Sequence, residues 1–167
     1  MAGAVAATVW VLQQPLDKKV FGVDYDDGDI LGAAVASGRG VRPVGYALHV
    51  GNGALFGAIY ANVAPRLPLP SWTRGPLLAL AEHGLTWPAT AALPKVHPAG
   101  DDLPKLWGNA RAFAQATWRH LLFGIVLGEL ERRLNAPADE DVPEYEHVVS
   151  TNGHGNIEHA VVGFSSE

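Results

Sequence analysis

Three histidines are the residues of this chain best suited to chemistry in an apolar setting: His49, His83 and His120. Each lies in an apolar stretch on a stripe of small residues spaced four apart, and residues at that spacing share one face of a helix. Small residues on such a face let a second helix approach closely. The spacing therefore predicts a bundle of tightly packed helices with three imidazoles inside it. The stripes are Gly45, His49, Gly53, Gly57 and Ala61; Gly75, Ala79, His83 and Trp87; and Ala112, Ala116, His120, Gly124 and Gly128.

Other polar residues accompany these histidines in the apolar stretches. Glu82 and Arg119 lie at similar fractional positions in two helices that we expect to be antiparallel neighbours. An ionisable residue inside an apolar bundle usually faces the interior and finds a partner. We therefore predict a Glu82–Arg119 ion pair, which would bring His83 and His120 to the same depth. His49 lies nearer one end of its helix, with Asn52 three residues further on.

Three roles for the histidines stay open at this point. The favoured one is structural, because imidazoles commonly form hydrogen bonds across closely packed helices. The second is cofactor binding by His49, His83 and His120, in which two of them hold a haem iron or all three hold a transition metal. The third is a proton or ion path through Glu82, Arg119 and the two histidines beside them.

Several other kinds of site find no support in the sequence. The chain has no cysteine, which excludes disulfides, thiolate metal sites and thiol catalysis. It has no nucleophile-elbow motif and no phosphate-binding glycine motif. The acidic turn over 24–29 lacks the glycine and glutamate positions of a calcium loop, so we predict a solvated loop there. No basic patch is interleaved with aromatic residues, which argues against nucleic acid as a partner.

The apolar stretches of the sequence indicate the helices that carry these residues. Residues 43–64 carry no charge and are long enough for one membrane span. Residues 2–16 form a shorter apolar segment, 75–93 a second candidate span with a kink at Pro88, and 106–130 the last long helix. We therefore predict three or four spanning helices.

The composition agrees with one apolar body and a polar end. Of the 167 residues 48% are hydrophobic and 17% are charged, against roughly a quarter in a typical soluble domain. We predict a helical domain over 1–135 and a polar, acidic tail over 136–167. The tail is expected to be disordered or to form a small hairpin.

A series of residues between 45 and 133 forms a recognisable pattern of helices and closing motifs. It comprises a helix with His49, Phe56 and Tyr60 that ends at Pro65, the pair Arg74-Gly75, a helix with His83 and Pro88, the pair Leu103-Pro104, and a helix with His120 that closes on Glu131-Arg132-Arg133. On these residues the chain resembles the YagU-like group of small bacterial inner-membrane proteins of unassigned function. The resemblance implies a multi-pass inner-membrane protein with its C-terminus in the cytoplasm, and it supplies no catalytic residues.

The sequence thus predicts an all-α fold, a membrane helical bundle of about four helices with a polar C-terminal tail. The predicted role is that of a non-enzymatic structural or transport-associated component of the bacterial inner membrane. Its expected partners are the lipid bilayer and a second copy or another membrane protein. The alternative is a haem- or metal-binding membrane protein, and a soluble four-helix protein also stays open because only 43–64 is a clean span.

Overall fold

The computed structural model describes residues 1–135, and within them the chain is helical without strands. The helices are α1 (Ala2–Phe21), α2 (Asp27–Ala33), α3 (Val41–Val63), α4 (Ser71–Thr86), α5 (Leu93–Val96) and α6 (Ala110–Leu134). Four of them are long, and α2 and α5 are short connecting helices. The prediction of an all-α fold is confirmed.

Local sequence signals explain where the helices begin and end. Gly22 adopts the left-handed conformation, with φ of 69°, and its N–H donates to Lys18 to close α1. The carboxylate of Asp26 accepts from the N–H of Gly28, at 2.8 Å, and so caps α2. The side-chain oxygen of Asn109 accepts from two backbone N–H groups at the start of α6.

The long helices pack around α1. Helix α1 lies against both α3 and α6, α4 packs along α6, and α2 packs on α3. Helices α3 and α4 make little direct contact with each other. This arrangement leaves a gap between α3 and α4, with α1 and α6 behind it.

Glycines set the closest helix approaches. A Cβ on Gly75 of α4 would overlap the carbonyl oxygen of Gly124 on α6, and one on Gly53 of α3 would lie 2.8 Å from the carbonyl oxygen of Gly3 on α1. A Cβ on Gly45 would likewise overlap the backbone of α2. The prediction that the small-residue stripes mediate close helix packing is confirmed.

The predicted boundaries agree with the structure to different extents. Helix α3 matches the predicted stretch 43–64 closely, whereas α6 begins and ends four residues after the predicted 106–130. Helix α4 ends at Thr86, two residues before Pro88, so the proline follows the helix instead of kinking it. Helix α1 continues past residue 16 to Phe21, because Pro15 is accommodated inside it.

The membrane prediction is wrong. Among the described helices, none is both long enough and apolar enough to cross a membrane. Helix α4 has only 16 residues, α6 contains arginines and glutamates, and the uncharged stretch of α3 is rich in glycine and alanine, which add little hydropathy. The prediction of a multi-pass integral membrane protein of the bacterial inner membrane, with a structural or transport role there, is therefore overturned.

Other predictions are left open by the fold. The tail over 136–167, predicted to be disordered or a hairpin, lies outside the described residues. A lipid partner, a homo-oligomer and the exclusion of nucleic acid stay predictions.

Candidate functional site

The interior holds a buried arginine at the level where α1, α2 and α6 meet. Arg119 forms a two-pronged pair with Asp17, from Nε to Oδ2 and from Nη2 to Oδ1, both at 2.7 Å. Its Nη1 donates to Asp27 Oδ2, also at 2.7 Å. Arg119 is 0% exposed and Asp17 is 1% exposed. These three side chains form the charged centre of the fold.

Neutral groups complete this centre. The amides of Gln13 and Gln115 each donate to Asp17 at 2.6 Å, and the guanidinium lies 4.4 Å from the centroid of the Tyr25 ring. Burial alone lowers the pKa of Arg119, but the hydrogen bond to Asp17 and the charge of Asp27 outweigh it and raise the pKa above its ordinary value. Arg119 is therefore permanently charged inside the protein.

Sequence reasoning missed both acids of this centre. The turn over 24–29 is not the predicted solvated loop, because Asp26 is buried and caps α2 while Asp27 binds Arg119. Asp17 lies just beyond the predicted apolar segment 2–16, but α1 continues to Phe21 and includes it. One signal was available: positions 10, 14 and 17 share a helix face, so an α1 that continues past Pro15 carries Asp17 on the same face as Trp10.

A cavity of about 330 Å³ fills the gap between α3 and α4. Helix α1 and helix α6 form its inner wall, and residues near α5 close one end. Most of the wall is apolar and aromatic, with a smaller set of polar groups. The aromatic residues of the wall are Trp10, Tyr25, Phe56, Trp87 and Phe123, and the main polar ones are Asp27, His49, Asn52, Glu82, His83 and His120.

Glu82 pairs with His120 across the contact between α4 and α6. The ring of His120 donates from Nδ1 to the carbonyl oxygen of Ala116, at 2.7 Å, and its Nε2 lies 3.0 Å from Glu82 Oε2. Both ring nitrogens face acceptors, an arrangement in which a doubly protonated ring can donate from both of them. The hydrogen bond from His120 lowers the pKa of Glu82.

The predicted Glu82–Arg119 ion pair is therefore wrong. Neighbouring residues of a helix point about 100° apart, so Arg119 and His120 cannot both face α4. His120 faces α4 and takes Glu82, while Arg119 faces α1 and takes Asp17. The predicted approach of His83 and His120 is confirmed, since their rings stack with centroids 4.5 Å apart.

His83 is a neutral, buried neighbour of this pair. It is 3% exposed, and burial lowers its pKa to about 4, with the charge of His120 acting in the same direction. Its Nε2 lies 3.0 Å from the hydroxyl of Thr117, which donates its own proton to the carbonyl oxygen of Phe113. His83 Nε2 must therefore be the donor, so the ring is protonated there.

His49 is the least satisfied of the three histidines. Its Nε2 is buried and has no hydrogen-bond partner among residues 1–135, and the residue is part of the cavity wall. Burial lowers the pKa of His49, so the ring is neutral near pH 7. The indole of Trp10 separates it from His120, with ring centroids 5.1 Å from His49 and 4.7 Å from His120.

This geometry does not support the predicted haem or metal site. Within residues 1–135 no three histidine or acidic side chains come together in a way that could hold a metal ion. Both nitrogens of His120 are engaged, and Trp10 stands between His120 and His49. His83 and His120 stack directly on each other, which leaves no room for a macrocycle between them.

The chain matches no protein-family model, and neither curated proteins nor solved structures give a match. The resemblance to the YagU-like group thus stays a prediction from its motifs. The function has to be argued from the cavity itself.

Proposed function

We propose that the protein binds a small organic molecule in the cavity between α3 and α4. The observation that carries the proposal is the cavity itself, together with His49 on its wall, whose Nε2 has no hydrogen-bond partner among the described residues. A buried polar group left without a hydrogen bond costs about 1–3 kcal/mol, and such groups are rare in folded proteins. A ligand that carries one hydrogen-bonding group would satisfy it.

The size and lining of the cavity support the same proposal. Its volume of about 330 Å³ lies at the lower end of the range for small-molecule pockets, roughly 300–1,000 Å³. Such pockets combine an apolar, aromatic wall with a few placed polar groups. Here Phe56 and Phe123 pack edge to face behind the cavity, with ring centroids 5.5 Å apart. The ligand therefore has a compact apolar body and at least one polar end.

A second buried polar atom shows why the position of His49 matters. The side-chain oxygen of Gln115 is also without a partner, but Gln115 does not line the cavity. No ligand in the cavity could reach it. Of these two residues, only His49 lines the cavity.

The proposal is tested by titrating the protein with 2-phenylethanol, which joins a benzene ring to one hydroxyl group. Tryptophan fluorescence reports on it, because Trp10 and Trp87 line the cavity. We expect saturable binding with a Kd of about 1 mM, since a ligand of this size gains roughly 4 kcal/mol. The substitution His49→Phe keeps a ring of similar size but removes Nε2, and it should weaken binding about five- to tenfold, the value of one hydrogen bond.

The matched control is Leu55→Phe on the same helix, where the side chain is 60% exposed and does not line the cavity. It should leave the Kd unchanged. A linear, non-saturating response of the wild-type protein to the alcohol, and likewise to its ammonium and carboxylate analogues of the same shape, would overturn the proposal. Equal affinities of the wild type and His49→Phe would do the same.

A further inference from the structure

The ionisable groups on the cavity wall are acidic. Asp27 and Glu82 both line the cavity, and no lysine or arginine of the described residues does. The nearest guanidinium, that of Arg119, lies behind Asp27 with no exposed surface. A ligand in the cavity can therefore contact these carboxylates directly, whereas Asp27 separates it from the Arg119 guanidinium.

Asp27 uses one carboxylate oxygen within the protein. Its Oδ2 accepts from Trp10 Nε1 at 3.0 Å and from Arg119 at 2.7 Å, while no hydrogen bond from the described residues reaches Oδ1. Glu82 is more fully engaged, because Oε2 pairs with His120 and a hydrogen bond with the Thr86 hydroxyl also lowers the pKa of Glu82. An ionised carboxylate has about four acceptor positions, so both side chains still offer acceptors to a donor in the cavity.

The charges around the cavity do not balance. Asp17 and Asp27 share the single guanidinium of Arg119, which leaves one negative charge uncompensated. The Glu82–His120 pair adds no net charge when the imidazole is protonated. A positive charge placed in the cavity is therefore stabilised and a negative one is repelled.

The rest of the cavity wall also favours a positively charged ligand. The faces of aromatic rings attract cations, and Trp10, Tyr25 and Trp87 all border the cavity. The neutral ring of His49 can present Nε2 as an acceptor to an N–H group. An acceptor, aromatic faces and open carboxylate oxygens together form the surroundings of an ammonium group.

We infer that the ligand of this cavity is a small organic amine, bound as its ammonium cation between Asp27, Glu82 and His49 with its apolar body against the aromatic wall. The inference rests on the proposed function and adds to it the charge of the ligand. Anions of the same size and shape are excluded by the two carboxylates.

Three probes of matched shape test the inference at pH 7: phenethylamine, which is a cation, 2-phenylethanol, which is neutral, and phenylacetate, which is an anion. We expect phenethylamine to bind at least about tenfold more tightly than the alcohol, and phenylacetate to show no saturable binding. The alcohol is the reference, because it reports on the cavity without reporting on charge.

Substitutions of single carboxylates identify the residues that cause the preference for a cation. Glu82→Gln and Asp27→Asn should each weaken phenethylamine binding about three- to tenfold and should weaken binding of the alcohol by less. Asp29→Asn is the control on α2, because Asp29 pairs with Arg42 at the surface and does not line the cavity. Should Asp27→Asn unfold the protein, Glu82→Gln alone decides, since Glu82 is partly exposed and lies outside the Arg119 centre.

The outcomes separate the two proposals. Equal affinities for the amine and the alcohol, or tighter binding of phenylacetate, would overturn the inference and leave the binding function standing. Unchanged amine binding in Glu82→Gln would also overturn it. Saturable binding of none of the three probes would overturn the proposed function and the inference together.

Discussion

Two polar regions inside the protein differ in how fully their groups are paired, although adjacent residues of α6 anchor them. Arg119 faces α1, where its guanidinium donates four hydrogen bonds to Asp17, Asp27 and the backbone of Tyr25. His120 faces α4 and the cavity, where Glu82 lies on the wall and Nε2 of His49 has no hydrogen-bond partner among the described residues. The first region is closed and charged, and the second is open and partly satisfied.

This difference indicates which polar residues serve the fold and which serve a ligand. A buried charge is tolerated only with excellent geometry, so Arg119 and Asp17 are tightly paired and offer nothing to a ligand. Asp27 belongs to both regions, because it binds Arg119 and also lines the cavity. The cavity groups are held in place by the same helices but keep free hydrogen-bonding positions. Residue type alone does not separate the two regions, since both contain carboxylates and cations.

The largest effect should come from breaking the closed region. The substitution Arg119→Met leaves the buried Asp17 carboxylate and the partly exposed Asp27 carboxylate without their counter-charge. Removing one partner of a buried pair costs about 3–5 kcal/mol. We expect a loss of that size in the free energy of unfolding, measured by urea denaturation at pH 7.

The control is Arg42→Met, which breaks the exposed pair between Arg42 and Asp29. Exposed pairs contribute about 0–1 kcal/mol, so this variant should stay close to the wild type. Similar losses for the two arginine variants would mean that the Arg119 centre is no more important to folding than a surface pair. That result would remove the distinction between a closed and an open region.

A smaller effect should follow from separating the helices that form the open region. A Cβ on Gly75 would overlap the backbone of Gly124, so Gly75→Ala forces α4 away from α6. Overpacking of this kind costs about 1–3 kcal/mol. It should also abolish binding of 2-phenylethanol, because Glu82 and His83 move with α4, while the Arg119 centre stays intact between α1 and α6.

Gly84→Ala on the same helix is the matched control, since no atom lies within 4 Å of a Cβ built there. It should leave stability unchanged or raise it by up to about 1 kcal/mol, because alanine has the higher helix propensity. A Gly75→Ala protein that binds the alcohol normally would show that the cavity does not depend on this crossing.

Much of the fold could be predicted from the sequence. The uncharged stretch over 43–64 predicted the bounds of α3 closely. The glycine stripes identified the helix faces that pack against neighbouring helices. The membrane prediction is wrong because small residues that allow close helix packing do not by themselves indicate a lipid environment. Glycine and alanine serve a close helix crossing equally well in either setting, so spacing alone could not distinguish them.

The site was predicted only in part. His49, His83 and His120 do gather around one cavity, which their positions in the stripes indicated. The partners of the polar side chains could not be predicted from the sequence. Whether Arg119 pairs with Glu82 or with Asp17 depends on how α6 is rotated about its axis. The neighbouring pair Arg119-His120 contained the relevant constraint, since adjacent helical residues cannot both face α4.

A further test concerns the acid sensitivity of the open region. His83 has a pKa of about 4 in the folded protein and about 6.5 when unfolded, so the unfolded chain binds the extra proton between these values. Stability is therefore fully present above pH 6.5 and is lost as the pH falls toward 4. Between pH 7 and pH 4.5 the loss due to His83 should be about 2 kcal/mol.

The variant His83→Phe isolates this contribution, because a phenyl ring can stack on His120 and Phe113 without titrating. Its unfolding free energy should fall by about 2 kcal/mol less than that of the wild type over the same pH range. The contribution of His49 is common to both proteins and cancels in the difference. Parallel pH profiles of the two proteins would contradict a neutral, buried His83.

The smallest effect, and the sharpest test of the comparison, concerns the Glu82–His120 pair. Because the side chain of Glu82 is 36% exposed, Glu82→Gln should lower stability by only about 1 kcal/mol or less. The change should instead appear in the ¹⁵N shift of Nε2 in the His120 ring, because the substitution replaces the carboxylate that lies 3.0 Å from this nitrogen by a neutral amide. Asp29→Asn should leave that shift unchanged. A Glu82→Gln protein whose Nε2 shift matches that of the wild type would mean that Glu82 does not bind His120, and the open region would then lack this contact between α4 and α6.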